Sequence, residues 1–108
     1  MRNITMKKYF IYIIFFTFGL SFAQEKETKR ILTQQGEIIK FEEYHDNGML
    51  SQTGYFLDGK NHGIWMSYNS EGIKLSKGVY DKGKKTDRWF FWNKGILIEV
   101  DYKDNIVQ

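Results

Sequence analysis

The sequence predicts an all-β protein, an elongated antiparallel β-meander made of successive hairpin repeats. Three observations predict this fold: glycine turns at nearly regular intervals, aromatic and β-branched residues between them, and the absence of proline. Glycine permits the backbone conformations of tight turns, and aromatic and β-branched side chains favour strands. Without proline, nothing interrupts the hydrogen bonding between neighbouring strands.

The turns are marked by glycines that recur every 11 to 13 residues, namely Gly36, Gly48, Gly59, Gly72, Gly83 and Gly95. Asn105 takes the place of the next glycine. The dipeptides Asn47-Gly48 and Asp58-Gly59 are typical of hairpin turns, because both positions tolerate a positive φ. The segments between the turns predict seven strands, at 31–35, 37–45, 49–57, 63–69, 73–81, 88–93 and 96–102.

One pattern is written twice between Phe41 and Trp89. A shift of 24 residues superimposes Gly48 on Gly72, Gly54 on Gly78, Phe56 on Tyr80, Gly59 on Gly83, Lys60 on Lys84 and Trp65 on Trp89. A fixed period of this length is typical of repeat architectures.

Side-chain alternation places aromatic residues on both faces of the strand at 88–93. Trp89 and Phe91 share one face, and Phe90 and Trp92 share the other. We expect either a β-bulge near the tryptophan, a strong twist that covers both faces, or one face that receives a partner.

The N-terminus has the pattern of a secretory signal peptide over residues 1–23. Arg2, Lys7 and Lys8 precede an apolar run at 11–20, and small residues stand before a cut after Ala23. This predicts export to the periplasm or the extracellular space. The alternative is that residues 9–23 stay as a membrane anchor, although they are shorter than a typical span. Residues 24–30 are predicted to be a flexible lead-in and residues 31–108 the β-repeat domain.

The charge balance excludes nucleic acid as a partner. Without the three basic residues of the signal, 13 of the 16 basic residues remain against 13 acidic ones. A nucleic-acid-binding domain needs a basic surface of its own. The remaining asymmetry is local, because seven basic and two acidic residues lie between Lys74 and Lys94. This stretch is either a solvated charged turn or a docking patch for an anionic surface.

Catalytic chemistry is not predicted, and neither a metal nor another cofactor is expected. Cysteine is absent, which excludes disulfides and thiolate sites. His45 and His62 are the two histidines, and we expect both to be solvated turn residues, because a metal site needs three or four protein ligands. Glu42 and Glu43 are neighbours on a strand and therefore point to opposite faces.

The repeated residues resemble the MORN-repeat variant family, whose short bacterial members are often described as antitoxin-like repeat proteins. The first copy carries Tyr44, Asn47-Gly48, Leu50, Gly54, Phe56, Gly59-Lys60, Gly63, Trp65 and Tyr68, and the second carries Gly72, Gly78, Tyr80, Gly83-Lys84, Trp89 and Trp92. In the second copy Asp87 replaces the glycine before the tryptophan. The resemblance implies stacked hairpins and an interaction role without established chemistry.

If the protein has a binding surface, we expect it in the basic and aromatic part of the second copy. The candidate residues are Trp65, Tyr68, Lys82, Lys84, Lys85, Arg88, Trp89, Phe90, Trp92 and Lys94. The aromatic members, together with Phe91, form either a ladder for a ligand or ordinary cross-strand packing. The leading partner is another protein; the alternatives are anionic lipid or envelope glycan, and a third hypothesis is a structural spacer without a partner.

Overall fold

The computed structural model describes residues 29–108, and the predicted signal peptide and residues 24–28 of the lead-in lie outside this part. The prediction of an all-β fold is confirmed. The described residues form one open, eight-stranded antiparallel sheet and contain no helix. The strands lie side by side in sequence order, so every connection is a hairpin.

The strand bounds agree closely with the glycine spacing. The eight strands are β1 (Lys29–Gln35), β2 (Ile38–Tyr44), β3 (Leu50–Leu57), β4 (Lys60–Tyr68), β5 (Lys74–Asp81), β6 (Lys84–Asn93), β7 (Ile96–Lys103) and β8 (Ile106–Val107). All seven predicted strands are present. The short β8 was not predicted, because only two residues follow the turn at Asp104 and Asn105 before the strand ends.

The sheet begins two residues earlier than the sequence predicts. Lys29 and Arg30 were assigned to a flexible segment, but they are the first residues of β1. Arg30 lies opposite Glu43 on β2, and its Nε donates to the Glu43 carboxylate at 2.8 Å. A cross-strand ion pair therefore extends the hairpin beyond the apolar residues that predict it.

The strands β4 and β6 begin earlier than the sequence predicts, because residues with positive φ lie inside them. Gly63 in β4 has φ 76°, and Asp87 in β6 has φ 63°. At both places the pairing with the preceding strand shifts, next to Gly54 and Gly78 respectively. A bulge near the tryptophan, one of the three alternatives for the strand at 88–93, is thus present in β6, and β4 has one as well. Left-handed residues within bulges bend a strand without ending it.

The core consists of two tryptophans, each laid over a glycine of the preceding strand. Trp65 and Trp89 are only 7% and 6% exposed. A Cβ atom built on Gly54 would lie 2.0 Å from the ring of Trp65, and one on Gly78 would lie 2.1 Å from the ring of Trp89. The indole can lie flat on the sheet because these two positions lack a side chain. The side of the sheet that carries Trp65 and Trp89 is called the packed face.

A continuous row of aromatic rings covers the packed face. Neighbouring ring centroids lie 5.1 to 6.2 Å apart along the series Phe41, Phe56, Trp65, Tyr80, Trp89 and Tyr102, and Phe91 stacks on Trp89 at 6.0 Å. Most of these pairs are edge-to-face, which the charge distribution of aromatic rings favours. The indole nitrogens of Trp65 and Trp89 donate to the carbonyls of Tyr55 and Val79, each at 3.1 Å. In the described residues no second sheet or helix packs on this face, and the row of rings covers it instead.

The two predicted hairpin dipeptides form different turns. Asp58 and Gly59 both have positive φ, as a two-residue hairpin requires. Asn47-Gly48 lies instead in a longer turn, in which Gly48 N donates to His45 O at 2.9 Å. The Asn47 side chain there donates to the carbonyl of Ser70 in the next turn at 2.8 Å. This asparagine connects two hairpins, so its role depends on a residue 23 positions away.

Candidate functional site

The two faces of the sheet differ in chemistry because glycine and tryptophan occupy one of them. In β5, Gly78 and Tyr80 face the aromatic row, so Lys77 and Val79 face the other way. The same alternation places Arg88, Phe90 and Trp92 of β6 on that opposite side. We call this side the basic face and define it by Lys74, Lys77, Lys84, Arg88, Tyr68, Phe90 and Trp92.

The structure separates the predicted site residues into three places. Tyr68, Lys84, Arg88, Phe90 and Trp92 lie on the basic face, Trp65, Lys85 and Trp89 lie on the packed face, and Lys82 and Lys94 lie in turns at opposite ends of the sheet. The five aromatic residues that form either a ladder or cross-strand packing in the sequence analysis do not lie together on one face. Trp65, Trp89 and Phe91 belong to the aromatic row, whereas Tyr68 and Trp92 are on the other side.

Lysines and aromatic rings are interleaved on the basic face. Lys77 lies directly opposite Phe90 in the sheet, and the rings of Phe90 and Trp92 stack with centroids 6.0 Å apart. The Lys74 Nζ lies 5.7 Å from the centre of the Trp92 ring, within cation–π distance. Sequence reasoning did not name Lys77, because its place beside Phe90 depends on the pairing of β5 with β6.

Arg88 is the one member of the basic face held by carboxylates. Its Nε and one terminal nitrogen donate to Asp101 at 2.7 and 3.1 Å, and Glu99 lies 3.4 Å away. The hydrogen bond from Arg88 lowers the pKa of the Asp101 carboxyl, and the same hydrogen bond raises the pKa of Arg88. Within residues 29–108, Lys77 and Lys84 form no such salt bridge. Lys84 lies opposite Asp81 in the sheet, whereas Lys77 lies between Met66 and Phe90.

A groove of about 340 Å³ lies at the end of the sheet near Trp92. It is lined by Trp92, Lys74 and Lys94, by the aliphatic side chains of Ile73 and Leu75, and by Asn69, Asn93 and Gly95. The groove therefore brings together two predicted site residues, Trp92 in β6 and Lys94 in the turn that follows β6. Two lysines, Lys74 and Lys94, therefore line the groove together with the apolar side chains of Ile73 and Leu75.

Lys85 lies on the packed face and not on the basic face. Its Nζ lies 5.2 Å from the Trp89 ring and 5.0 Å from the Tyr102 ring. Its backbone N–H and C=O both bond to Asn105, at 2.7 and 2.9 Å. Lys85 thus closes the end of the aromatic row, while its neighbour Lys84 points to the basic face.

The two histidines connect neighbouring hairpins and are more than solvated turn residues. His45 Nε2 lies 2.9 Å from the carbonyl oxygen of Tyr68, so this nitrogen carries the proton and donates. His62 Nδ1 accepts the backbone N–H of Lys82 at 3.1 Å. Each ring thus has a structural partner in the next hairpin.

The described residues hold neither a metal-ligand cluster nor a membrane-spanning helix. No three His, Cys, Asp or Glu side chains in residues 29–108 stand close enough to bind a metal ion. Over the same residues, no helix has the length and apolar character needed to cross a bilayer. Glu42 and Glu43 lie opposite different partners and on opposite faces, as predicted.

Comparison of this chain with family models, with curated proteins and with solved structures finds no match.

Proposed function

We propose that this protein is an exported, non-enzymatic MORN-like repeat module that binds another protein through its basic face. The observation that carries the proposal is Lys77, which lies opposite Phe90 beside the stacked rings of Phe90 and Trp92, with Lys84 farther along the same face. Aromatic residues and arginine are enriched where proteins contact each other, and charged groups across an interface are arranged to complement each other. The partner surface that fits is acidic and carries apolar groups.

The aromatic rings are buried on the packed face and half-exposed on the basic face, and this difference supports the proposal. On the packed face the rings contact one another: Trp65 and Trp89 are buried, and their indole nitrogens are hydrogen-bonded. On the basic face, Phe90 and Trp92 stay half-buried in a sheet that the described residues cover with no second layer. Half-exposed aromatic rings offer contact area at low cost in side-chain entropy, and the indole of Trp92 also carries a polar N–H.

The test is a crosslinking capture from the cell envelope, with charge-reversal variants as baits. The double variant Lys77→Glu and Lys84→Glu inverts two of the three lysine charges of the basic face. The double variant Lys29→Glu and Lys103→Glu changes the net charge equally but acts on the outer strands β1 and β7. We expect a captured protein to lose at least tenfold in yield with the first variant and to be retained by the second.

Two results would count against the proposal. One is a capture no richer than that of an unrelated exported bait. The other is an equal loss with both variants, which would indicate a general effect of net charge rather than contact at the patch of Lys77, Phe90 and Trp92. Circular dichroism of both variants checks that the sheet is intact.

The groove at Trp92 favours a second candidate, the binding of anionic lipid. Lys74 and Lys94 stand beside Ile73 and Leu75 there, an arrangement that suits a headgroup above apolar chains. This reading predicts binding to phosphatidylglycerol vesicles that weakens as salt rises and disappears with Lys74→Glu and Lys94→Glu. Absence of vesicle binding at low salt would exclude it.

A further inference from the structure

Three aromatic residues occupy the same place in successive repeats of the sheet. Tyr44, Tyr68 and Trp92 follow one another at intervals of 24 residues, near the ends of β2, β4 and β6. A single row of paired residues crosses the sheet just before them, formed by Glu43, Gln52, Ser67, Ser76 and Phe91. Because each ring belongs to the residue that follows this row, the three rings lie at one level. Alternation along the strands places all three on the side of the basic face.

The spacing of the three rings is set by the distance between strands. Neighbouring members of the set lie two strands apart, so Tyr44, Tyr68 and Trp92 recur about every 9.6 Å and together span roughly 19 Å. A ligand that meets all three rings in the same way must itself repeat at about this interval.

The rings are held in place and keep part of their surface in solvent. Tyr44, Tyr68 and Trp92 are all half-buried. The Tyr68 hydroxyl donates to the sulfur of Met66 at 3.5 Å, and the ring of Trp92 stacks on that of Phe90. These contacts come from the residue two positions earlier on the same strand, so they fix the rings without a ligand.

Lysines stand on the strands beside the rings. Lys29 on β1 lies opposite Tyr44, and Lys74 on β5 lies opposite Tyr68. Neither lysine forms a salt bridge within residues 29–108. The row therefore offers positive charge between and beside its aromatic surfaces.

A groove lies at each end of this row. The groove at Trp92 is lined by two lysines, and among the described residues no carboxylate lines it. Asn69 and Asn93 add amide groups there. The second groove, of about 360 Å³, lies at Tyr44 and is also lined by Lys29, Ile31, His45, Asp46 and Gly48.

We propose that this row binds an acidic, extended polysaccharide that lies across the strands and places every second sugar against one of the rings. In a β-1,4-linked chain each sugar is turned over relative to its neighbour, so the same sugar face returns once per disaccharide. That interval is close to the spacing of the rings. The C–H groups of a sugar face pack on an aromatic ring, while ammonium and amide groups bind carboxylates and hydroxyls. This site goes beyond the proposed protein contact and does not rest on it.

An extended peptide does not match the same spacing. Its side chains return to one face every two residues, about 6.8 Å, and residues three apart point to opposite faces. A polyproline II helix does return to one face after about 9.3 Å, so it is the competing ligand that the test must separate.

Isothermal titration calorimetry with defined oligosaccharides tests the proposal. The probes are β-1,4-linked oligomannuronates of two, four and six sugars, with cellohexaose as the uncharged control and poly-L-glutamate and poly-L-proline as peptide controls. We expect the affinity to rise at least tenfold from two to six sugars, because only the longer chain reaches all three rings, and to weaken as salt rises. The three controls should bind at least tenfold more weakly than the hexamannuronate.

Ring-removing variants locate the site. Tyr44→Leu and Tyr68→Leu keep an apolar side chain but remove the ring, and each should weaken hexamannuronate binding about tenfold. Tyr55→Leu is the matched control, because Tyr55 is a half-buried tyrosine on the same side of the sheet and outside the row. It should leave the affinity unchanged, and circular dichroism checks the fold of all three variants.

Several results would overturn the proposal. They are no binding of hexamannuronate at low salt, no gain in affinity with chain length, an equal loss in Tyr55→Leu and Tyr68→Leu, or binding of any control as tight as that of hexamannuronate. The tyrosine variants leave Lys77, Lys84 and Phe90 unchanged, so loss of polysaccharide binding is distinguishable from loss of the captured protein.

Discussion

Replacement of Gly78 by alanine should strongly destabilise the sheet, because a methyl group would occupy the place of the Trp89 ring. The new Cβ atom would lie 2.1 to 2.3 Å from three ring carbons. Carbon atoms in contact prefer about 3.5–4.0 Å, so the indole must move by roughly 1.5 Å. In a strand without such a neighbour, the same substitution stabilises by about 0.5–1 kcal/mol. A destabilising effect of Gly78→Ala would therefore indicate the contact with the Trp89 ring, and a stabilising effect its absence.

The magnitude follows from what the displaced ring loses. Overpacking a core costs about 1–3 kcal/mol. The hydrogen bond from Trp89 to the Val79 carbonyl, 3.1 Å long, contributes about 1 kcal/mol. We expect a total loss of about 3 kcal/mol. Domains of this size are stable by about 4–12 kcal/mol, so the variant should fold but with a clearly lower urea midpoint.

A double-mutant cycle with Trp89→Ala isolates the contact. Urea unfolding followed by far-ultraviolet circular dichroism gives the free energy of unfolding of each variant. In the Trp89→Ala background, Gly78→Ala should be neutral or stabilising, because the ring is absent. The reasoning is refuted if Gly78→Ala costs the same in both backgrounds, or if it does not destabilise the wild type.

Three further substitutions test other parts of the structure by the same unfolding assay. Asp87→Gly should stabilise by about 0.5–1 kcal/mol, because Asp87 has φ 63° and a side chain is strained in that region. Asn69→Ala should cost about 1–2 kcal/mol, because Asn69 Oδ1 accepts the N–H groups of Glu71 and Ile73 at 2.8 and 3.0 Å. Asp101→Asn should make the free energy of unfolding fall less steeply as the pH is lowered, since Arg88 lowers the pKa of Asp101.

The sign of the pH effect follows from the direction of the pKa shift. The pKa of Asp101 is lower in the folded protein than in the unfolded chain, so its contribution is present above the ordinary carboxyl pKa and is lost as the pH falls through the lowered value. Equal acid sensitivity in wild type and Asp101→Asn would contradict this. For Asp87, the matched control is Gly63→Asp, which should destabilise; an unchanged Gly63→Asp variant would contradict the argument from φ.

The sequence predicts the order of the strands well, because each glycine turn is a local signal. It predicts the starts of β4 and β6 less well, because Gly63 and Asp87 look like turn residues and are bulge residues within strands. Their role depends on the neighbouring Gly54 and Gly78, whose missing side chains make room for a ring. Such a pairing is set by the register between strands, which no single segment encodes.

The sequence predicts a basic and aromatic stretch, but it does not show how the residues of that stretch divide between the two faces. When the basic and aromatic stretch forms β6, its side chains alternate between the two faces of the sheet. The bulge at Asp87 determines which face each residue occupies. Lys84 and Lys85 are adjacent, yet Lys85 lies against the rings of Trp89 and Tyr102 while Lys84 is on the basic face. Lys77 joins the basic face from another strand, so its place depends on the pairing of β5 with β6.

The assignment of binding to the basic face is tested most directly by photocrosslinking from two adjacent positions of β6. Phe90 and Phe91 are consecutive, half-buried and of the same residue type, and they point to opposite faces. A photoreactive phenylalanine analogue at each position, irradiated in the cell envelope, samples one face at a time. We predict a covalent adduct with a second protein from position 90 and none from position 91. Adducts from position 91 alone, or equally from both positions, would contradict the account.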